Sequence, residues 1–89
     1  MKAKECRSVI QPDFQDLLAT GCYAVHHVFP GRNRGRCEKY GFLVALRPAA
    51  HEEAHSEPEG ALMKFWQERA HEYWLENIGT EEELREEFL

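Results

Sequence analysis

Two short apolar runs, each stopped at a proline, limit what this chain can build. Cys22 to Phe29 is rich in aromatic and β-branched residues and ends at Pro30-Gly31, while Phe42-Leu-Val-Ala-Leu46 ends at Arg47-Pro48. Apolar runs of this length between chain breakers read as strands. Pro48 suits the first turn of a helix, so residues 48–56 are predicted to be helical. The expected order is strand, loop, strand, helix, with residues 30–40 (PGRNRGRCEKY) forming a basic loop.

Around that unit the signals are helical. Residues 1–8 read as a weakly ordered lead. Pro12 to Ala19 is predicted to form a short helix with Phe14, Leu17 and Leu18 buried, ended by Gly21. After the turn SEPEG, a longer helix is expected from Ala61 to Asn77. Leu62, Phe65, Trp66, Arg69, Ala70, Tyr73 and Trp74 recur there at spacings of three and four, the pattern of an amphipathic stripe. Trp66, Tyr73 and Trp74 read as core, and His71 falls on the polar side. Thr80 and Glu83 fit a capping box for a last helix with Leu84 and Phe88 on one face. The chain therefore reads as a single α+β domain, 1–89: lead and short helix over 1–21, hairpin-and-helix core over 22–56, further helices over 57–89.

Composition narrows the class. Eighty-nine residues support one small core. Charged residues at 30% and hydrophobic residues at 43% are globular proportions. No apolar run is long enough to span a membrane, and Met1-Lys-Ala-Lys-Glu5 lacks the apolar stretch of a signal peptide, so a cytoplasmic protein is expected. Cys6, Cys22 and Cys37 are odd in number and far apart, which suits free thiols better than a disulfide framework. The net charge of −5 argues against a generic polyanion binder, but it is unevenly spread. Residues 26–50 carry Arg32, Arg34, Arg36, Lys39 and Arg47 against Glu38 alone, a balance of +4, and residues 51–89 stand at −9. A local anionic substrate fits that asymmetry. The glutamate-rich tail reads as a solvated face or a surface for a partner.

The histidines carry the chemistry. His26 and His27 are adjacent on the first strand, whose period of two sends them to opposite faces. His51 and His55, at i and i+4 on the short helix, lie one turn apart on one face and can share an ion. A hairpin that brings strand end and helix face together would make a site of His26, His51 and His55, leaving His27 free to deprotonate water. Imidazoles favour Zn, Mn, Ni or Co, though phosphate oxygens and waters can complete a Mg or Mn site. In the basic segment, arginine forks match phosphate oxygens and glycine admits close approach, so Arg32, Arg34 and Arg36 are candidate phosphate contacts; a flexible polar loop is the plainer reading.

The run His26-His-Val-Phe-Pro-Gly-Arg-Asn-Arg34, then Glu38-Lys-Tyr-Gly41, an apolar strand and a helical histidine, resembles phage and prophage HNH-type nucleases, in particular the phage recombination-enhancement nucleases. The His-x-x-x-His pair also resembles the metal pair of colicin-type HNH DNases. The resemblance covers residues 22–56. It implies a ββα-metal (His-Me finger) core with additional C-terminal helices and a metal-dependent DNA endonuclease of low sequence specificity. It also implies Mg or Mn for activity, with Zn or Ni able to occupy the site. Carried over by position, His26, His51 and His55 are ligands, His27 is the general base, Asn33 supplies an orienting amide, and Arg32, Arg34, Arg36 and Lys39 contact DNA phosphates. The chain departs from the pattern in two places. Phe42 stands nine residues before His51, where HNH proteins often have Asn, and Arg47-Pro-Ala-Ala50 replaces a Cys-x-x-Cys, so packing by Phe65, Trp66 and Trp74 is expected to replace a structural zinc. Those losses, with the acidic tail, keep open a degenerate HNH-fold module that binds DNA or a recombination, packaging or other phage or host protein through its acidic helices.

Overall fold

Leu43-Val-Ala-Leu46 is apolar at every position, and all four residues are buried. A strand of that kind needs cover on both faces. In the computed structural model, which describes residues 6–29 and 31–88 and, for Arg32, the backbone alone, helices supply it. The elements are α1 (Phe14–Ala19), β1 (Ala24–His27), a 3-10 turn (Gly31–Asn33), α2 (Arg34–Tyr40), β2 (Leu43–Leu46), α3 (Pro48–Ser56), α4 (Ala61–Asn77) and α5 (Glu81–Phe88). Strands β1 and β2 form a two-stranded antiparallel sheet with Ala24 opposite Leu46 and His27 opposite Leu43. Helix α1 packs on β2, α2 on β1, and α3 on both strands. The architecture is a small α+β fold with a hairpin followed by a helix, compatible with a ββα arrangement.

An isolated two-stranded sheet is marginal and exposes two edges. Here Gln11 closes the outer edge of β2. Its Nε2 donates to the Ala45 carbonyl at 3.2 Å, and its Oε1 accepts from the Ala45 amide at 2.6 Å. One side chain thus replaces a third strand at that position. The Val9 amide donates to the Gly41 carbonyl at 2.9 Å, extending the same edge. Residues 6–8, expected to be loose, are anchored. Arg7 donates to the carbonyls of Lys39 at 2.8 Å and Glu38 at 3.3 Å, and the Ser8 hydroxyl accepts from the amides of Ile10 and Gln11. Residues 1–5 of the expected lead lie outside the described residues.

The segment 31–40 is helical where a loop was expected. It lacks a capping side chain and contains Gly35, so its local signals are weak. Its structure comes from packing: Cys37 is fully buried, and Tyr40 stacks on Phe42 with ring centroids 6.0 Å apart. Gly41 ends α2 in the left-handed conformation (φ 79°), and a Cβ there would meet Val9 Cγ1 at 3.0 Å. The left-handed backbone calls for glycine, and the crowding by Val9 adds to the penalty for any side chain.

Helix α4 has the expected bounds but a rotated stripe. Met63, Ala70 and Trp74 are buried, Leu62, Trp66 and Tyr73 half-buried, whereas Phe65 is 50% exposed and Arg69 lies over its ring. Phe65 is roughly 200° around the helix from Met63, so both cannot face the core. Of the three aromatics expected to replace a zinc knuckle, Trp74 packs inside, Trp66 partly, and Phe65 outside. His71, expected to be solvated, is half-buried, and its Nε2 has no hydrogen-bond partner among the described residues. The capping box is present: the Thr80 amide donates to Glu83 Oε1 at 2.8 Å and the Glu83 amide to Thr80 Oγ1 at 3.2 Å. Leu84 and Phe88 then face inward, and Phe88 meets Phe29, Phe42, Tyr40 and Trp74 at ring distances from 4.6 to 6.1 Å.

Gln11→Ala strips partners from two buried backbone groups at once. At about 1–3 kcal/mol for each orphaned group, the unfolding free energy is expected to fall by about 2–6 kcal/mol, read as a lower urea midpoint at constant slope.

Candidate metal centre

The hairpin register sets the first ligand. His26 sits opposite Val44, on a core-facing position, and is only 5% exposed. Helix α3 sets the other two. Arg47 is extended (ψ 159°) and Pro48 occupies the first turn, which starts the helix so that His51 and His55 lie one turn apart. The three rings meet: centroids of His26 lie 5.3 Å from His51 and 5.2 Å from His55, and those of His51 and His55 are 4.6 Å apart. One nitrogen from each falls within 4.8 Å of the other two, close enough to hold a metal ion.

The donor set fits a cation on geometry and charge state. The Nε2 atoms of His51 and His55 are 3.2 Å apart. Two imidazoles bound to one ion at about 2.0–2.1 Å and tetrahedral angles have nitrogens about 3.3 Å apart. His26 is held neutral, the form that binds metal. Burial, reinforced by repulsion from His51, His55 and His27, lowers its pKa from the usual 6.5 to about 4.

His27, one residue on, is turned from the ligand cluster toward α2, and its Nε2 lies 3.0 Å from Glu38 Oε2. It still lines the same concavity, about 580 Å³ in volume, with Val25, His26, Gly31, Arg34, His51 and His55. Of the expected phosphate contacts, the structure brings Arg34 to this concavity. Arg36 instead pairs with Glu87 through its Nε at 3.1 Å, and Lys39 lies over the Tyr40 ring at 5.2 Å. Helical turns spread the basic residues around α2, where a loop could have gathered them. The Arg32 side chain lies outside the described residues. Among the described residues Asn33 makes no hydrogen bond to the histidines: its Nδ2 donates to the Phe88 carbonyl at 2.8 Å, fastening α5 to the core. Glu38 was not expected at the site, although it is the only acidic residue in the basic segment 26–50, a signal that the sequence carries.

The cysteines take no part. The described cysteines are free, and burial pushes the Cys37 thiol up to about 11. No described helix is long and apolar enough to cross a membrane. Comparison of the chain with protein-family models, with curated proteins and with solved structures finds no match.

Two outcomes follow for the centre. A folded-state pKa of about 4 against 6.5 unfolded means that the unfolded chain binds the extra proton. The stabilisation from neutral His26 is complete above pH 6.5 and is lost as pH falls toward 4. His26→Leu should flatten that acid slope, measured by urea midpoints at several pH values between 4 and 7. Zn, Ni or Mn at a hundredfold excess over its Kd should stabilise the wild type by about 2.7 kcal/mol, a melting shift of about 10–20 °C that His51→Ala removes and EDTA reverses.

Proposed function

We propose that this chain is a metal-dependent endonuclease of the HNH, ββα-metal kind, which hydrolyses DNA phosphodiester bonds with low sequence specificity. The observation that carries the reading is the convergence of His26, His51 and His55 with an unligated His27 at the wall of one concavity. A divalent ion held by the three imidazoles, Mg or Mn in the active enzyme, would polarise the scissile phosphate and stabilise the leaving oxyanion. His27 accepts a proton from the attacking water. Arg34 holds a backbone phosphate at the rim. Among the described residues, Arg34 is the single polar side chain besides histidine that lines the concavity, too few donors to read a run of bases.

A second reading has its own support. Asn33 is engaged with Phe88, Arg36 is paired with Glu87, and the segment 51–89 is strongly acidic. A catalytically degenerate module that binds DNA, or a recombination or packaging protein through α4 and α5, would share these features.

Nicking of supercoiled plasmid with Mg or Mn, against an EDTA control, separates the two. His27→Ala is expected to lower kcat by about 10²–10⁴-fold while the metal-induced melting shift persists. Equal activity of variant and wild type refutes the assignment of the base, and DNA binding without cleavage in either metal selects the degenerate module. Arg34→Ala should weaken DNA binding and lower the slope of log K against log salt by about one.

A further inference from the structure

We propose that Glu38 is the positioning residue for His27, fixing its tautomer so that Nδ1 is the atom that takes the proton; this rests on the reading of His27 as general base. Glu38 Oε2 lies 3.0 Å from His27 Nε2. An ionised carboxylate only accepts, so Nε2 carries the hydrogen and the neutral ring leaves Nδ1 bare. A base must present a bare nitrogen, and one hydrogen bond at the far side of the ring settles both which nitrogen that is and where it points.

The support beneath Glu38 is rigid in a way that a chance surface pair does not need. Its backbone carbonyl and that of Lys39 accept from Arg7. The preceding residue, Cys37, is buried, and its thiol donates to the Phe29 carbonyl at 3.2 Å while the Phe29 amide donates back to the sulfur at 3.3 Å. That exchange ties α2 to the chain two residues beyond His27. Both ends of the His27–Glu38 contact are therefore mounted on the same clamp. The pair is also graded in exposure: the imidazole is 17% exposed and the carboxylate 47%, so the ring is sequestered while its partner stays in contact with solvent. Among the described residues the Glu38 side chain hydrogen-bonds to His27 and to none of the candidate ligands, and Arg7 is held by backbone carbonyls, so Glu38→Ala removes none of the bonds of the clamp.

The test reads the ring before it reads activity. Long-range ¹H–¹⁵N NMR of the metal-free protein at pH 8 should show His27 with hydrogen on Nε2, and Glu38→Ala should give a mixture of tautomers with a melting temperature within a few degrees of wild type. In plasmid nicking, Glu38→Ala should lower kcat about 100-fold with unchanged KM and unchanged metal-induced melting shift, Glu38→Gln should retain an intermediate rate through its amide oxygen, and Glu38→Asp should recover part of the loss. Hydrogen on Nδ1 in the wild type overturns the proposal, as does a wild-type kcat in Glu38→Ala when His27→Ala is inactive. Where the wild type fails to cut, the nuclease reading falls by itself, and the tautomer of His27 still decides whether Glu38 sets the ring.

Discussion

Burial of β2 on both faces is the constraint from which the rest of the molecule follows. Four consecutive apolar residues cannot sit at the rim of a small protein, and a hairpin partner covers only one edge. Gln11 closes the other edge, α1 and α3 pack against the strand, and Phe42 continues the run into the aromatic cluster beneath α4 and α5. The core is thus built mainly from one strand and the rings that surround its entry. The C-terminal helices matter because Phe88 and Trp74 complete that cluster, fastened by the bond from Asn33 and the indole hydrogen bond to the Thr80 carbonyl.

The histidine cluster sits against this core at a cost. His26 shares its face of the hairpin with Val44 and Leu46, a position where an aliphatic side chain would gain about 1.5–3 kcal/mol from burial. An imidazole there, with two more within ring contact, disfavours protonation and brings one nitrogen of each ring within 4.8 Å of the other two. Such concentration of similar polar groups is explained more readily by a ligand than by packing. Perturbed titration in a concavity is also a general mark of functional sites.

Much of this was legible in the sequence, unevenly. Prolines 30 and 48 and the apolar run 42–46 placed the hairpin and α3, and the i, i+4 spacing of His51 and His55 placed two candidate ligands on one face. The capping residues Thr80 and Glu83 placed α5. The rest depended on contacts between distant residues. Helix α2 has weak local signals and is held by Cys37, Tyr40 and Arg7. The α4 stripe was misassigned at Phe65 because a bulky aromatic resembles a core residue at any rotation, while the buried Met63 and Ala70 are less conspicuous. Asn33 was read from a motif, yet its partner lies in α5, fifty-five residues away in sequence. His71 lines the groove between α4 and α5 with its Nε2 buried there, which periodicity along one helix cannot show.

The sealed thiol of Cys37 has a consequence for how this protein can be watched. Cys22 is open to solvent, whereas Cys37 is enclosed between α2 and the end of the hairpin and is poorly ionised. A sulfhydryl reagent therefore labels the exposed Cys22 and the partly exposed Cys6 from the native state and reaches Cys37 only after an opening uncovers its sulfur. Because Cys37 is hydrogen-bonded to Phe29 and lies next to Glu38 in the chain, its slow labelling rate reports how often the junction of α2 and the hairpin opens.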